Sequence, residues 1–384
     1  MYDTASKVFQ KPPRMKNRIC LWGLSVFLAL TAIMARAEAT WPEEKANAWA
    51  AGRRWLVGCN FIPSTAINQL EMWQADTFDP LTIDRELGWA EQLGFTSVRV
   101  FLHDLLWKQD SAGFLQRMDQ FLNLADKHHI GVTFVFFDSC WNPFPKLGKQ
   151  PDPKPFVHNS GWVQSPGRNI LEHPERFREL KPYVQGVISH YRTDPRVDMW
   201  DLFNEPDGMN DPAYIKEEPA NKKDMTLILV QETFDWVREI SPLQPLTTAV
   251  WQGEWADSAK LSSMERVQLQ NSDVISFHSY SSAADLERCF KDLHRYNRPV
   301  ICTEYMARAA GSTFDPQLKI LHDQNVGAYN WGFVAGKTQT IYPWDSWVRT
   351  YTTEPPVWFH DIFRTNGVPY SSEEVIFIKS VTGK

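Results

Sequence analysis

Val197-Asp198-Met199-Trp200-Asp201-Leu202-Phe203-Asn204-Glu205-Pro206 is the stretch on which the fold turns. Apolar residues dominate as far as Phe203. Two polar groups then stand side by side, and Pro206 cannot donate the next ladder hydrogen bond. A parallel strand buried on both faces reads this way, with its polar residues held back to the C-terminal end. The stretch Pro299-Val300-Ile301-Cys302-Thr303-Glu304 repeats the plan and also closes on a glutamate. Burying a carboxylate costs free energy unless it is paired or used. Two of them at the ends of separate strands point to a pair of carboxylates facing one substrate.

Working outward, short apolar runs alternate with longer amphipathic segments. Strands are predicted over residues 55–61, 97–102, 131–137, 197–205, 246–250, 274–278, 300–303 and 327–331. Helices are predicted near 81–93 (closed by Gly94), 113–128, 174–191, 224–240, before Asn271, and near 283–296, 315–323 and 356–363. Residues 365–384 then form a tail packed on the rest. Strict alternation with buried strands implies an α/β fold with a parallel sheet and helices outside. Eight such units close it into a (β/α)8 TIM barrel, a single domain over residues 41–384. The loops after strands three, four and eight are long and all fall on the C-terminal face, where barrel chemistry sits. The one at residues 138–172 is rich in Pro, Gly and Trp.

The net charge of −6, with both signs interspersed, argues against a nucleic-acid partner, which would meet a basic stripe. The 17 tryptophans are an unusual number; large proteins bury most of their Trp in cores, and the rest have faces that stack well on sugar rings. At the N-terminus Arg14, Lys16 and Arg18 precede an apolar run, 19–34, and the A-x-A site Ala35-Arg36-Ala37. Residues 1–37 therefore read as a signal peptide, its apolar run short for a bilayer span, with an uncleaved anchor as the alternative. The expectation is a secreted or periplasmic monomer with no membrane contact once the signal is removed. The remaining cysteines, Cys59, Cys140, Cys289 and Cys302, form no CxxC or Cys/His cluster, so neither a zinc site nor another cofactor is expected. A disulfide among them stays open in an exported protein.

Each predicted strand offers something at its C-terminal end. Strand two carries Arg99, strand three Asp138 and strand four Asn204-Glu205. Trp251 follows strand five, His278 and Tyr280 end strand six, Glu304 ends strand seven, and Asn330-Trp331 end strand eight. A ring of this composition suits glycoside hydrolysis, in which one carboxylic acid protonates the leaving oxygen and one carboxylate attacks the anomeric carbon. Arg99 beside Glu304 would keep that carboxylate ionised, and burial would raise Glu205 to act as an acid. Blander readings stand beside these: Arg99 in an internal ion pair, His278 as a core residue, Asp138 capping its own loop. Trp141, Trp162, Trp251, Trp255, Trp344 and Trp347 could equally pack loops or stack on sugar. A metal-dependent hydrolase would want more His and Asp at strand ends than His278 and Asp138. A sugar-binding barrel without activity need not retain both glutamates.

Trp200 to Pro206, His278-Ser279-Tyr280, Thr303-Glu304 and Asn330-Trp331 resemble the signature of clan A retaining glycoside hydrolases, and of glycoside hydrolase family 5 in particular, the cellulase and mannanase group. The resemblance covers residues 55–363. It implies a retaining β-glycosidase acting on an oligosaccharide or polysaccharide such as β-mannan or β-glucan, with Glu205 as acid/base and Glu304 as nucleophile. It further implies that Asn204 holds the sugar 2-hydroxyl, Tyr280 hydrogen-bonds the nucleophile, and His278 lines the same subsite. Trp331 would lie under the sugar, Arg99 would support Glu304, and Asp138 and Trp251 would contact substrate. One departure is plain: many family 5 cellulases carry a histidine just after strand three, where this chain reads Phe137-Asp138-Ser139-Cys140-Trp141.

Overall fold

The computed structural model describes residues 40–384; the predicted signal peptide lies outside them. Eight parallel strands run in the order β5-β4-β3-β2-β1-β8-β7-β6. They are β1 Val57–Asn60, β2 Ser97–Phe101, β3 Gly131–Asp138, β4 Val197–Asn204, β5 Leu246–Thr247, β6 Ile275–Ser279, β7 Val300–Tyr305 and β8 Gly327–Asn330. Val250 closes the ring against Phe277 through one parallel bridge, its N–H donating to Ser276 O and its carbonyl accepting from His278 N. The fold is the expected (β/α)8 barrel. Among the described residues no helix is long and apolar enough to cross a membrane.

Burial explains the strand composition. Seven of the eight β3 residues and all eight of β4 are buried, because helices cover the outside and side chains fill the inside. Met199, Val274, Ile301 and Tyr329 form an apolar cluster separate from the main core. The main core lies between strands and helices, where Trp200 stacks on Phe134 at 5.9 Å. Caps set the helix starts: Asp79 accepts from Thr82 N before Pro80–Gln92, and Ser262 with Glu265 forms a reciprocal capping box before Ser263–Asn271. Gly94, with φ +76°, ends the Pro80–Gln92 helix as predicted.

Some elements differ from the sequence reading. The helix after β2 runs Asp104–Lys127 with a break at Asp110, so it starts a full turn or more earlier than expected. Strand five is ordered as a ladder only over Leu246–Thr247. No helix forms at 356–363. Instead the segment bends irregularly to Phe363, whose N–H donates to Phe333 O and whose carbonyl accepts from Ala335 N, a single bridge to the loop after β8. The closing helix is Ser372–Thr382, started by Ser371 accepting from Glu374 N. It packs against the barrel flank, with Thr382 Oγ1 donating to Leu93 O at 2.6 Å. The four cysteines of the described chain are free thiols.

Candidate active site

Strand pairing aims the side chains. The β6–β7 register shifts between Phe277 and His278, and the β7–β8 register shifts between Cys302 and Tyr305. Such irregularities re-aim a strand end, and these two flank His278 and Glu304. Glu205, one residue past β4, sits in the left-handed region with φ +43°. A non-glycine residue there is strained by order of 1 kcal/mol or more. The turn swings its carboxyl toward Glu304. One side-chain ligand atom each of Glu205, His278 and Glu304 lies within 4.8 Å of the other two.

Glu304 is gripped on both oxygens. Arg99 Nη1 donates to Oε1 at 2.8 Å and the Tyr280 hydroxyl donates to Oε2 at 2.7 Å. Arg99 is wholly buried and spends its remaining donors on Asp201 Oδ2, Asn60 Oδ1 and Asn204 Oδ1. One guanidinium thereby fixes both the Glu304 carboxylate and the orientation of Asn204. Burial pushes Glu304 above the usual carboxylate range, while the Arg99 guanidinium and the Tyr280 hydroxyl pull it back.

Glu205 has the opposite surroundings. Burial pushes its carboxyl up to about 8, with the Asp138 and Asp207 carboxylates adding to the rise and the Cys140 thiol opposing it. That thiol approaches Oε2 at 3.5 Å. His278 Nδ1 lies 2.8 Å from Glu205 Oε1 and 3.6 Å from Glu304 Oε2, between the two carboxyls. Burial holds this imidazole down at about 4, so it is neutral near pH 7. These three side chains have the spacing of metal ligands, but Arg99 and Tyr280 already occupy both Glu304 oxygens.

A cleft of about 450 Å³ opens above the carboxylates. Of the residues expected to meet substrate, Asn204, Tyr280, Trp251 and Trp331 line it beside Glu205 and Glu304. Arg99, Asp138 and His278 do not. Asp138, expected at the substrate, is spent beneath the site: it accepts from Trp162 Nε1 at 2.6 Å, Asn204 Nδ2 at 3.0 Å and Cys140 N at 3.0 Å. It is 1% exposed and acts on Asn204, not on a ligand. Trp141, Trp344 and Trp347 line the cleft, whereas Trp162 and Trp255 are packed in the interior.

Sequence reasoning missed the buried pair Lys222–Glu218, at 2.8 Å. Glu218 Oε1 also accepts from Asn210 Nδ2 and Gln164 Nε2, and Asn210 Oδ1 accepts from Trp141 N. This network ties the loop after β4 to the loop after β3 and holds Trp141 at the cleft. The i,i+4 spacing of Glu218 and Lys222 was its one visible sign. Cys140 and Asn159 were also missed as cleft residues.

Two carboxylates with opposed surroundings thus lie at the C-terminal mouth of a (β/α)8 barrel, beneath an aromatic cleft. Residues 90–337 match the sequence profile of cellulase (glycosyl hydrolase family 5), and the chain belongs to that family. Its fold is similar to the exo-β-1,4-mannosidase of Opitutaceae bacterium strain TAV5, with TM-score 0.58 and 18% identity over 86% of this chain and 60% of that one. It is also similar to a GH5_18 protein from Streptomyces cattleya in complex with GlcNAc, with TM-score 0.57 and 12% identity over 86% and 80% of the two chains. The endo-β-1,4-mannanase of Thermotoga petrophila gives TM-score 0.53 and 14% identity over 87% and 77%. At these identities the likeness is one of fold. No curated protein matches the sequence.

Proposed function

We propose that the protein is an exported retaining β-glycosidase acting on a β-linked glycan. The observation that carries this reading is the approach of the Glu205 and Glu304 oxygens to within 4.8 Å. Retaining enzymes hold their carboxyl groups about 5–5.5 Å apart, while inverting ones leave about 6.5–9.5 Å for a water. In the first step a Glu304 oxygen bonds to the anomeric carbon as the C–O bond to the leaving group breaks, and Glu205 gives its proton to the departing oxygen. In the second, Glu205 takes a proton from water, the water oxygen bonds to the anomeric carbon, and the bond to Glu304 breaks. A Glu205 carboxyl held near 8 carries the proton the first step needs.

The mannosidase and mannanase neighbours make β-mannosides the first substrates to try, followed by β-glucans. The basic, apolar and A-x-A segments of residues 14–37 support export. The test is to screen a panel of aryl β-glycosides and β-glycans, then follow a cleaved substrate by proton NMR. The β-anomer must appear first. First appearance of the α-anomer would overturn retention, and no hydrolysis of any substrate would favour a sugar-binding barrel.

A further inference from the structure

The two halves of the barrel mouth are unequal. Glu205 follows β4 and Glu304 lies in β7, so a line between them leaves β3, β2, β1 and β8 on one side and β5 and β6 on the other. The first side is walled. There the loop after β3 is fastened to the loop after β8: Phe156 N donates to Gln339 Oε1, His158 N to Ser346 Oγ, and Trp347 Nε1 to His158 O. Trp141 stacks on Trp347 at 5.5 Å and 13°. Beneath this bridge Phe101, Trp162 and Trp331 pack edge to face over β2, with centroids 5.2–5.8 Å apart. The space behind Trp331 shrinks to about 20 Å³, room for a water but not for a sugar ring. On the other side the cleft is bordered by Gly208, Met209, Trp251 and Gln252.

Among the described residues Asp361 Oδ1 and His360 Nε2 are also unpartnered on this side, but Asn159 is the wall side chain with every polar atom unspent. Asn159 is 1% exposed, yet neither Oδ1 nor Nδ2 has a hydrogen-bond partner. Its backbone is held in the left-handed region at φ +46°, with its N–H donating to Thr338 O at 2.8 Å. Its residue borders both the cleft and the small cavity. A primary amide offers two donors and an acceptor with two lone pairs, so one water in the cavity leaves most of that capacity unspent. A buried amide left so is costly unless a ligand completes it.

From the blind half and this amide we propose that the enzyme works only from chain ends, seating the non-reducing terminal sugar against the wall with Asn159 reading the hydroxyl to which a further sugar would attach. This rests on the glycosidase reading above. The orientation follows from the reaction. The leaving group must depart and be replaced by water while the other sugar stays bonded to Glu304. A leaving group in the blind half would be trapped behind the intermediate, so it departs through the side bordered by Trp251, and the retained sugar fills the closed side. One sugar is therefore released at a time.

The test uses β-1,4-mannohexaose and β-1,4-glucohexaose with three non-reducing ends: the native 4-hydroxyl, 4-deoxy and 4-O-methyl. Products are separated at early times for the native protein and for Asn159→Ala. The native protein should release only monosaccharide, slow about tenfold on the deoxy end, and slow at least about 100-fold on the methylated end, which has no room. Asn159→Ala should lose about tenfold on the native end and no longer distinguish it from the deoxy end. A variant that only loosened the fold would keep that distinction, and its persistence would remove Asn159 from the role. Early disaccharides and trisaccharides, with the methylated hexaose cut as fast as the native one, would overturn chain-end action while leaving the glycosidase reading intact. No hydrolysis of any hexaose or aryl glycoside would overturn both.

Discussion

The ends of β4 and β7 each present a glutamate to the same cleft, and they are built on opposite plans. Glu304 has a cation on one oxygen and a phenol on the other, both shorter than 3 Å. Glu205 has two carboxylates nearby, a thiol at 3.5 Å, and a strained backbone. Desolvation raises both carboxyls, so it alone does not separate them; what separates them is who supplies the neighbouring charge. Under the proposed mechanism the β7 carboxylate would carry the charge and the β4 carboxyl the proton, the general pattern by which the surroundings of paired carboxyls divide acid and nucleophile.

The sharpest break in that comparison is Glu304→Ala. Turnover should fall by roughly 10⁴-fold or more on every substrate, good and poor leaving groups alike, because no intermediate forms. Added azide should restore turnover by filling the vacated space, and the glycosyl azide should have the α configuration. Retention of most activity without azide would place the nucleophile elsewhere.

Glu205→Ala should cost roughly 10²–10⁴-fold when the leaving group is poor and far less with an activated aryl group. In the latter case the second step becomes slow, and azide should speed it and give a β-glycosyl azide. Equal losses across leaving groups, measured as kcat/KM, would deny Glu205 its acid role.

Tyr280→Phe removes one donor from the Glu304 carboxylate. A hydrogen bond to a charged group supports a loss of roughly 10–100-fold in kcat/KM. The pH profile gives the sign. Activity rises as Glu304 loses its proton and falls as Glu205 loses its own near about 8. Without the phenol Glu304 holds its proton more tightly, so the acid limb should move to higher pH while the alkaline limb stays. A moved alkaline limb instead would mean the hydroxyl serves Glu205.

The smallest effect belongs to Cys140→Ala. The thiol favours the charged form of Glu205, so its removal should carry the alkaline limb to higher pH. The rate near pH 7 should change less than about threefold, since Glu205 is already protonated there. A limb moving to lower pH would show that the thiol does not donate to this carboxyl.

Strand ends were legible because a buried parallel strand leaves only its C-terminal residues free to be polar. That rule located Asn204, Glu205, His278, Glu304 and Trp331 without any contact information. It could not separate Asp138 from them. Asp138 also ends a strand, and only the arrival of Trp162 and Asn204 from distant sequence shows that it braces the site from below. The segment 356–363 misled for a related reason. Its apolar residues suit a helix, but it bends irregularly to Phe363, which bridges to the loop after β8. Asn159 gave no signal at all, since an asparagine in a long loop between Pro and Gly residues reads as turn chemistry.

The division of labour between the two glutamates is tested most directly by trapping the intermediate. Glu205→Ala is mixed with an activated aryl β-glycoside of a sugar the native protein cleaves, quenched in acid, and digested for peptide mass spectrometry. One sugar should be found esterified to the peptide containing Glu304, on that residue. A sugar on any other residue would contradict the assignment, as would an unmodified Glu304 peptide during steady turnover.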